Sequence, residues 1–230
     1  MGAREGAVLL DAGCGSGEDT LPLAARGGPR GRVVGIDVDR GLLRVASERA
    51  AEAGLRNVEH RYAQLPKCPF RDATFDGVRS ERVFQHFARP FESLLALARV
   101  TKPGGRVVVL EPDWASLYVD AGDRALERKV LQAGVDFAVN QGDIGRRLPG
   151  YFVRAGLVEL AVQLHPIRYP SLASADHYIL SGFEAAARRR VGARAMARWR
   201  RALETAEAEG RFFAGFTYVL VSGQVPASRG

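Results

Sequence analysis

Val8-Leu9-Leu10-Asp11-Ala12-Gly13-Cys14-Gly15-Ser16-Gly17 is a short apolar run that ends in an acid and breaks into three alternating glycines. An apolar run of this length, closed by glycine, reads as a buried strand, here Ala7 to Leu10. The residues after it, about Glu18 to Arg26, read as a helix, so the glycines occupy a strand-to-helix turn. Glycine is the residue such a turn needs, because it adopts positive φ freely and lets a ligand approach backbone without meeting a Cβ. The N–H groups at the start of the helix add donors beside the turn.

The same alternation continues outward from this stretch and marks βαβ units with a parallel sheet. Arg32 to Ile36 reads as the second strand and Arg40 to Ala53 as its helix, with Asp39 as N-cap and Gly54 as the stop. Val58 to Tyr62, Phe75 to Ser80 and Arg106 to Leu110 read as strands three to five. The helix Phe91 to Val100 precedes the last of these and ends at Lys102-Pro103-Gly104-Gly105, where proline stops the helix and glycine turns the chain. Helices are expected at Asp123 to Asn140, Ile144 to Ala155, Leu172 to Arg190 and Ala193 to Ala208. Strands are expected at Leu157 to Ile167 and Phe212 to Ser222.

Asp37 ends the second strand about twenty residues beyond the turn, where an acid meets the ribose hydroxyls of a bound nucleotide. A dinucleotide fingerprint wants glycine at the first, third and sixth positions of the turn, and the sixth is Glu18. A carboxylate there repels a pyrophosphate. A glycine turn preceded by an acid suits instead a cofactor without phosphate that carries an ammonium, which Asp11 attracts. These residues favour S-adenosylmethionine over a nicotinamide dinucleotide.

Five segments in order resemble the motifs of class I S-adenosylmethionine-dependent methyltransferases. Val8 to Gly17 resembles the first motif, and Val34-Gly35-Ile36-Asp37-Val38-Asp39 the ribose-binding one. Pro69 to Asp76 resembles the approach to the fourth strand, Ser80-Glu81-Arg82-Val83-Phe84-Gln85-His86 the segment after it, and Lys102-Pro103-Gly104-Gly105 the turn before the fifth. Together they cover about residues 7–112, and the subgroup resembled is the ubiquinone/menaquinone-biosynthesis type acting on small molecules. Arg154-Ala155-Gly156-Leu157 resembles the approach to the sixth strand.

The resemblance implies an α/β, Rossmann-like sheet of order 3-2-1-4-5-7-6 with the last strand antiparallel, flanked by helices and carrying a helical insertion between the last two strands. It implies one domain over residues 1–230: a cofactor-binding half at 7–112, substrate-side helices and sixth strand at 113–209, and the last strand at 210–224. Carried over by position, Gly13, Gly15 and Gly17 shape the cofactor pocket, Asp37 holds the ribose, Val38 and Leu65 flank the adenine, and Ser80 and Glu81 line the methionine end. Gln64 stands where the family usually has Asp, and its carbonyl still accepts from the adenine amino group. Relatives usually carry N-terminal helices that cover the substrate, whereas here the first strand begins within a few residues of Met1. Cover is therefore expected either from elsewhere in the chain or from a missing N-terminal segment.

Methyl transfer from a sulfonium asks mainly for proximity, and a base only when the nucleophile holds a proton of high pKa. His86, after the fourth strand, and Trp114, after the fifth, are the catalytic candidates. Glu111 and Asp113 share that edge, and His165 lies late in the sixth strand. Tyr118, Phe137, Asn140, Arg146 and Arg147 are further candidates for the substrate side.

The chain has 230 residues, 47% of them hydrophobic, enough for one sizeable α/β domain and thin for two. No apolar run is long enough to span a membrane, and the first residues do not make a signal peptide. Cys14 and Cys68 form neither a disulfide framework nor a metal cluster, so no metal is expected and the setting is read as reducing and cytoplasmic. The formal charge of +7 permits nucleic acid or an acidic substrate as partner. No nucleic-acid module accompanies it, and the arginines of Arg188-Arg189-Arg190 and nearby positions are read as a solvated helix surface. A small-molecule substrate, no membrane, and a monomer or homodimer are expected. The competing readings are an RNA methyltransferase and a methyltransferase-like fold that binds the cofactor without methylating, as a partner subunit or a cyclase.

Overall fold

The computed structural model describes residues 1–227. Seven strands form one sheet in the order β3-β2-β1-β4-β5-β7-β6, as the resemblance implies. They are β1 Val8–Ala12, β2 Arg32–Asp37, β3 Val58–Tyr62, β4 Phe75–Glu81, β5 Thr101–Val119, β6 Val158–Tyr169 and β7 Ala214–Gln224. Strands β1 to β5 pair parallel wherever they are neighbours, with Leu10 opposite Val34 and Val78. Ser116 and Asp120 of β5 and its extension meet Thr217 and Phe213, a reversed order that makes β7 antiparallel to β5.

By contact, the chain divides into two compact units. The first comprises Met1–Glu111, Arg147–Gln163 and the chain from Leu220; the second comprises Pro112–Arg146 and Leu164–Val219. The cause lies in β5. It was expected to end at Leu110 but continues to Val119, so its second half belongs to a different core.

In the first unit the helices are α1 Thr20–Gly27, α2 Arg40–Glu52 and α3 Pro90–Val100, together with most of α5, Ile144–Arg154. The central strands are covered on both faces, which is why they read as continuous apolar runs: Leu9, Leu10, Val33, Val34, Ile36 and Val78 are all at most 2% exposed. Asp39 caps α2 as expected, accepting from the amides of Gly41 and Leu42. The Lys102-Pro103-Gly104-Gly105 turn is absorbed into β5 as an irregularity: Phe75 and Gly77 of β4 face Thr101 and Arg106. Gly104 takes φ +78 there, which glycine does without strain.

The second unit is built around Trp114, Phe183, Trp199 and Phe216, all buried. Its helices are α4 Arg124–Ala138, α6 Leu172–Ala175 continuing through a π turn into α7 Ser181–Val191, and α8 Ala193–Ala208. Asp123 caps α4 through the amides of Ala125 and Leu126.

Candidate active site

The glycine turn hangs from the end of β2. The amides of Gly13 and Cys14 both donate to the carbonyl of Ile36, at 2.7 and 3.0 Å. The amide of Gly15 donates to Asp37 Oδ2 at 2.9 Å, and that of Asp39 donates to Asp37 Oδ1 at 2.9 Å. The one Asp37 carboxylate thus ties the glycine turn to the end of β2. Gly13 and Gly15 both have positive φ. A Cβ on Gly13 would overlap the Val83 side chain, whereas a Cβ on Gly15 would meet no atom within 4 Å. The turn is therefore packed from behind and open in front.

Beside this turn lies a cleft of about 200 Å³ lined by Asp11, Asp19, Arg79, Glu81 and the glycine turn itself. Side chains alternate along a strand, so Arg79 and Glu81 of β4 share one face while Ser80 takes the other. Arg79 Nη1 contacts Asp19 at 2.7 Å and Asp11 at 3.4 Å, and its Nη2 contacts Glu81. Asp11 is 1% exposed. Its Oδ2 has no hydrogen-bond partner among the described residues. Burial pushes the Asp11 carboxyl up to about 7, opposed by the nearby Arg79 charge. A cationic group brought beside it would favour its charged form. Burial likewise raises the Cys14 thiol, which leaves it a packing group.

The segment after β4 is held by Glu111. This fully buried carboxylate accepts from the amides of Val83 at 2.6 Å, Phe84 at 2.7 Å and Gln85 at 3.3 Å. Burial pushes Glu111 up to about 7 against the pull of those amides. His86 ends the short turn so fixed, Phe84–His86, with its side chain exposed.

Other expected residues fall elsewhere. Ser80, expected at the methionine end, is buried and donates its hydroxyl to the carbonyl of Ala12 at 2.8 Å, which joins β4 to β1. Val38 is exposed, Gln64 is exposed in a short antiparallel bridge with Lys67, and Leu65 is buried; none of the three lines the cleft. In the second unit Trp114 is a core residue, 4.6 Å from Phe216 and 5.7 Å from Phe183 between ring centroids. Arg146 forks onto Asp113, with Nε at 3.0 and 2.9 Å from the two carboxylate oxygens. Tyr118 stacks on Phe213, and Arg190 covers Phe137. His165 lies on the exposed strand β6.

Arg79 and Asp19 were not singled out from the sequence. The available signal was Arg79 itself, a charge in a central strand of a parallel sheet, where both faces are covered and charges are rare unless paired. Among the described residues no group of three or more His, Cys, Asp or Glu is arranged to hold a metal ion, and no helix is long and apolar enough to cross a membrane.

A family model described as a methyltransferase domain matches residues 3–149. Over 98% of its length the chain is 35% identical to a 37.1 kDa protein in transposon TN4556 of Streptomyces fradiae, and it covers 65% of that protein. Over 51% of its length it is 35% identical to the demethylmenaquinone methyltransferase of Anoxybacillus flavithermus, of which it covers 49%. The chain thus spans roughly half to two thirds of the curated relatives it matches. Among solved structures, a candidate methyltransferase of Bacillus halodurans superposes with a TM-score of 0.67 at 18% identity, covering 97% of this chain and 95% of that one.

Proposed function

Because the chain belongs to the methyltransferase domain family, we propose that it transfers a methyl group from S-adenosylmethionine to a small-molecule nucleophile. The observation that carries this reading is the pairing of an open glycine turn, pinned by Asp37 to the end of β2, with a neighbouring cleft lined by a buried acid, Asp11, whose Oδ2 has no hydrogen-bond partner among the described residues. The residues fit the cofactor. Asp37 stands at the ribose position, the open face of Gly15 admits a nucleoside without a Cβ in the way, and Asp11 awaits an ammonium. Glu18 disfavours the pyrophosphate of a dinucleotide.

When bound, S-adenosylmethionine supplies a methyl group already activated by its sulfonium. The protein then has to orient the acceptor and exclude water, and proximity of this kind is worth roughly 7–11 kcal/mol. His86, exposed on the turn that Glu111 fixes, is the group we assign to take up a proton when the acceptor carries one of high pKa. Trp114 is assigned a packing role in the second unit. The demethylmenaquinone methyltransferases among the relatives make a quinol the first acceptor class to try.

Calorimetric titration with S-adenosylmethionine, S-adenosylhomocysteine and NAD tests the cofactor. Saturable binding of the first two and not the third is expected; binding of NAD alone would overturn the reading. Transfer of labelled methyl to a quinol acceptor is the accompanying test of turnover, and binding with no transfer to any acceptor tried would favour a non-methylating role.

A further inference from the structure

We infer that two copies of the chain join through β6, strand to strand and antiparallel, about a two-fold axis that passes through Val162. β6 ends the sheet order, so one of its edges carries backbone N–H and C=O groups that no neighbouring strand takes up. Every residue from Val158 to Pro166 is exposed. Leu160, Val162 and Leu164, which alternation puts on one face, are 36, 48 and 64% exposed.

Edge strands are ordinarily blunted by charge, proline or a bulge. In β6 such devices stand only at the ends of the exposed stretch. Glu159 takes φ +49, which interrupts the regular strand, and its carbonyl accepts from Arg106 Nη2 at 2.7 Å. Pro166 has no N–H to give. Between them, Leu160-Ala161-Val162-Gln163-Leu164-His165 contains no Asp, Glu, Lys or Arg, no Pro and no Gly. An uncharged aliphatic segment of this kind, left on an edge, is a pairing site.

The order of its side chains identifies the occupant. Leu160-Ala161-Val162-Gln163-Leu164 has leucine at both ends and a β-branched residue at its centre. Across a two-fold interface, residue i meets residue j and j meets i. With the axis at Val162, Leu160 lies opposite Leu164, Ala161 opposite Gln163, and Val162 opposite its own copy. The aliphatic positions then meet one another on one face of the joined sheets, and no like charges are opposed. An axis at Gln163 sets Leu160 against Pro166, and one at Ala161 sets Gln163 against the irregular Glu159, so either shift loses part of the ladder. A strand of another protein could use the free backbone, but only a second copy uses this symmetry.

The test is the oligomeric state of the purified chain by analytical ultracentrifugation, with cysteine cross-linking to read the register. A dimer that dissociates on dilution is expected. Val162→Lys sets two ammoniums opposite each other at the axis and is expected to weaken that dimer by about tenfold or more. Val162→Cys is expected to form a disulfide-linked dimer under mild oxidation, since directly opposite Cβ atoms lie about 4.5–5.5 Å apart. Leu160→Cys and Leu164→Cys should each fail to cross-link alone and succeed when mixed. The native Cys14 and Cys68 are buried and leave the background clear. Should Val162→Lys fail to fold, the cysteine variants carry the same test. A chain that stays monomeric at every concentration overturns the inference. So does a dimer that survives Val162→Lys and does not cross-link through Val162→Cys, because its interface lies elsewhere. Cross-linking of Leu164→Cys alone, without cross-linking of Val162→Cys, overturns the register and the inference with it.

Discussion

The backbone N–H of Phe84 donates to Glu111 Oε1 at 2.7 Å, so a residue in the middle of β5 holds the first turn of the segment that follows β4. The amides of Val83 and Gln85 use the same carboxylate. The side chain substitutes for a helix cap that the local sequence, Arg82-Val83-Phe84, has no residue to provide. Glu111→Ala leaves three donors unsatisfied, those of Phe84 and Gln85 buried and that of Val83 partly so, at about 1–3 kcal/mol for each one that water does not reach. Urea unfolding is expected to show a loss of at least ~3 kcal/mol. A loss within ~0.5 kcal/mol, the range of an ordinary surface substitution, would mean the segment is held by something else.

Asp11 and Glu111 also set a pH dependence. Both carboxyls are raised to about 7, from ordinary values of 3.8 and 4.5. Between the ordinary value and 7 the folded protein holds protons that the unfolded chain has released, so stability falls as pH rises through that window. The slope is at most about 1.4 kcal/mol per pH unit for each group. Asp76, whose carboxyl is held low by Lys102 and the Val8 amide against its burial, acts oppositely but only below about pH 4. Unfolding free energies measured at pH 5 and pH 8 are expected to differ less in Asp11→Asn than in the unaltered protein. Equal differences would show that Asp11 does not titrate in this range.

Asp37→Ala removes the acceptor for Gly15 N and, with it, the carboxylate we propose for the ribose. Two charge-assisted bonds amount to ~3 kcal/mol or more, which is about two powers of ten in affinity. S-adenosylhomocysteine binding should weaken by that factor, and unchanged affinity would sink the placement of the ribose.

Gly13 has φ +83 and lies against Val83. Gly13→Ala is expected to cost about 1–2 kcal/mol from the backbone alone, with the overlap added. Pairing it with Val83→Ala should recover the overlap part and leave the backbone part, a split that a thermal unfolding series on the single and double variants can read. Full recovery in the double variant would mean the positive φ carries no strain.

What the sequence made legible follows from periodicity and from glycine. Strands β1 and β2 are covered on both faces and read as unbroken apolar runs, so periodicity places them, whereas the 3-2-1-4-5-7-6 order is implied only by the family resemblance. Asp37 and Gly13 could be placed because a motif ties their spacing to a turn. The long course of β5 was hidden, because Glu111-Pro112-Asp113 carries a proline and two acids and reads as a strand end. The Glu111, Asp113 and Arg79 pairings were hidden for a different reason. Each joins positions 28 to 68 residues apart, at Glu111–Val83, Arg146–Asp113 and Arg79–Asp11, and no local pattern encodes them.

Trp114 tests how an aromatic residue near a site is to be read. From its place after the fifth strand it could stack on a substrate, but it is 8% exposed and meets Phe216 and Phe183 in the second unit's core. Truncating a buried tryptophan costs about 3–5 kcal/mol in transfer and cavity terms. Trp114→Ala should therefore lower the unfolding free energy by that amount, while binding of S-adenosylhomocysteine, which we assign to residues in the first unit, stays within about twofold at a temperature where the variant is folded, a difference worth only ~0.4 kcal/mol. Trp114→Phe keeps an aromatic ring in the cluster and should lose less than half as much. A Trp114→Ala protein of unaltered stability that binds the cofactor but fails to turn over would move the indole out of the core and into the substrate site. The stability measurement and the binding measurement answer separate questions, so the two roles are distinguished even if activity falls in both cases.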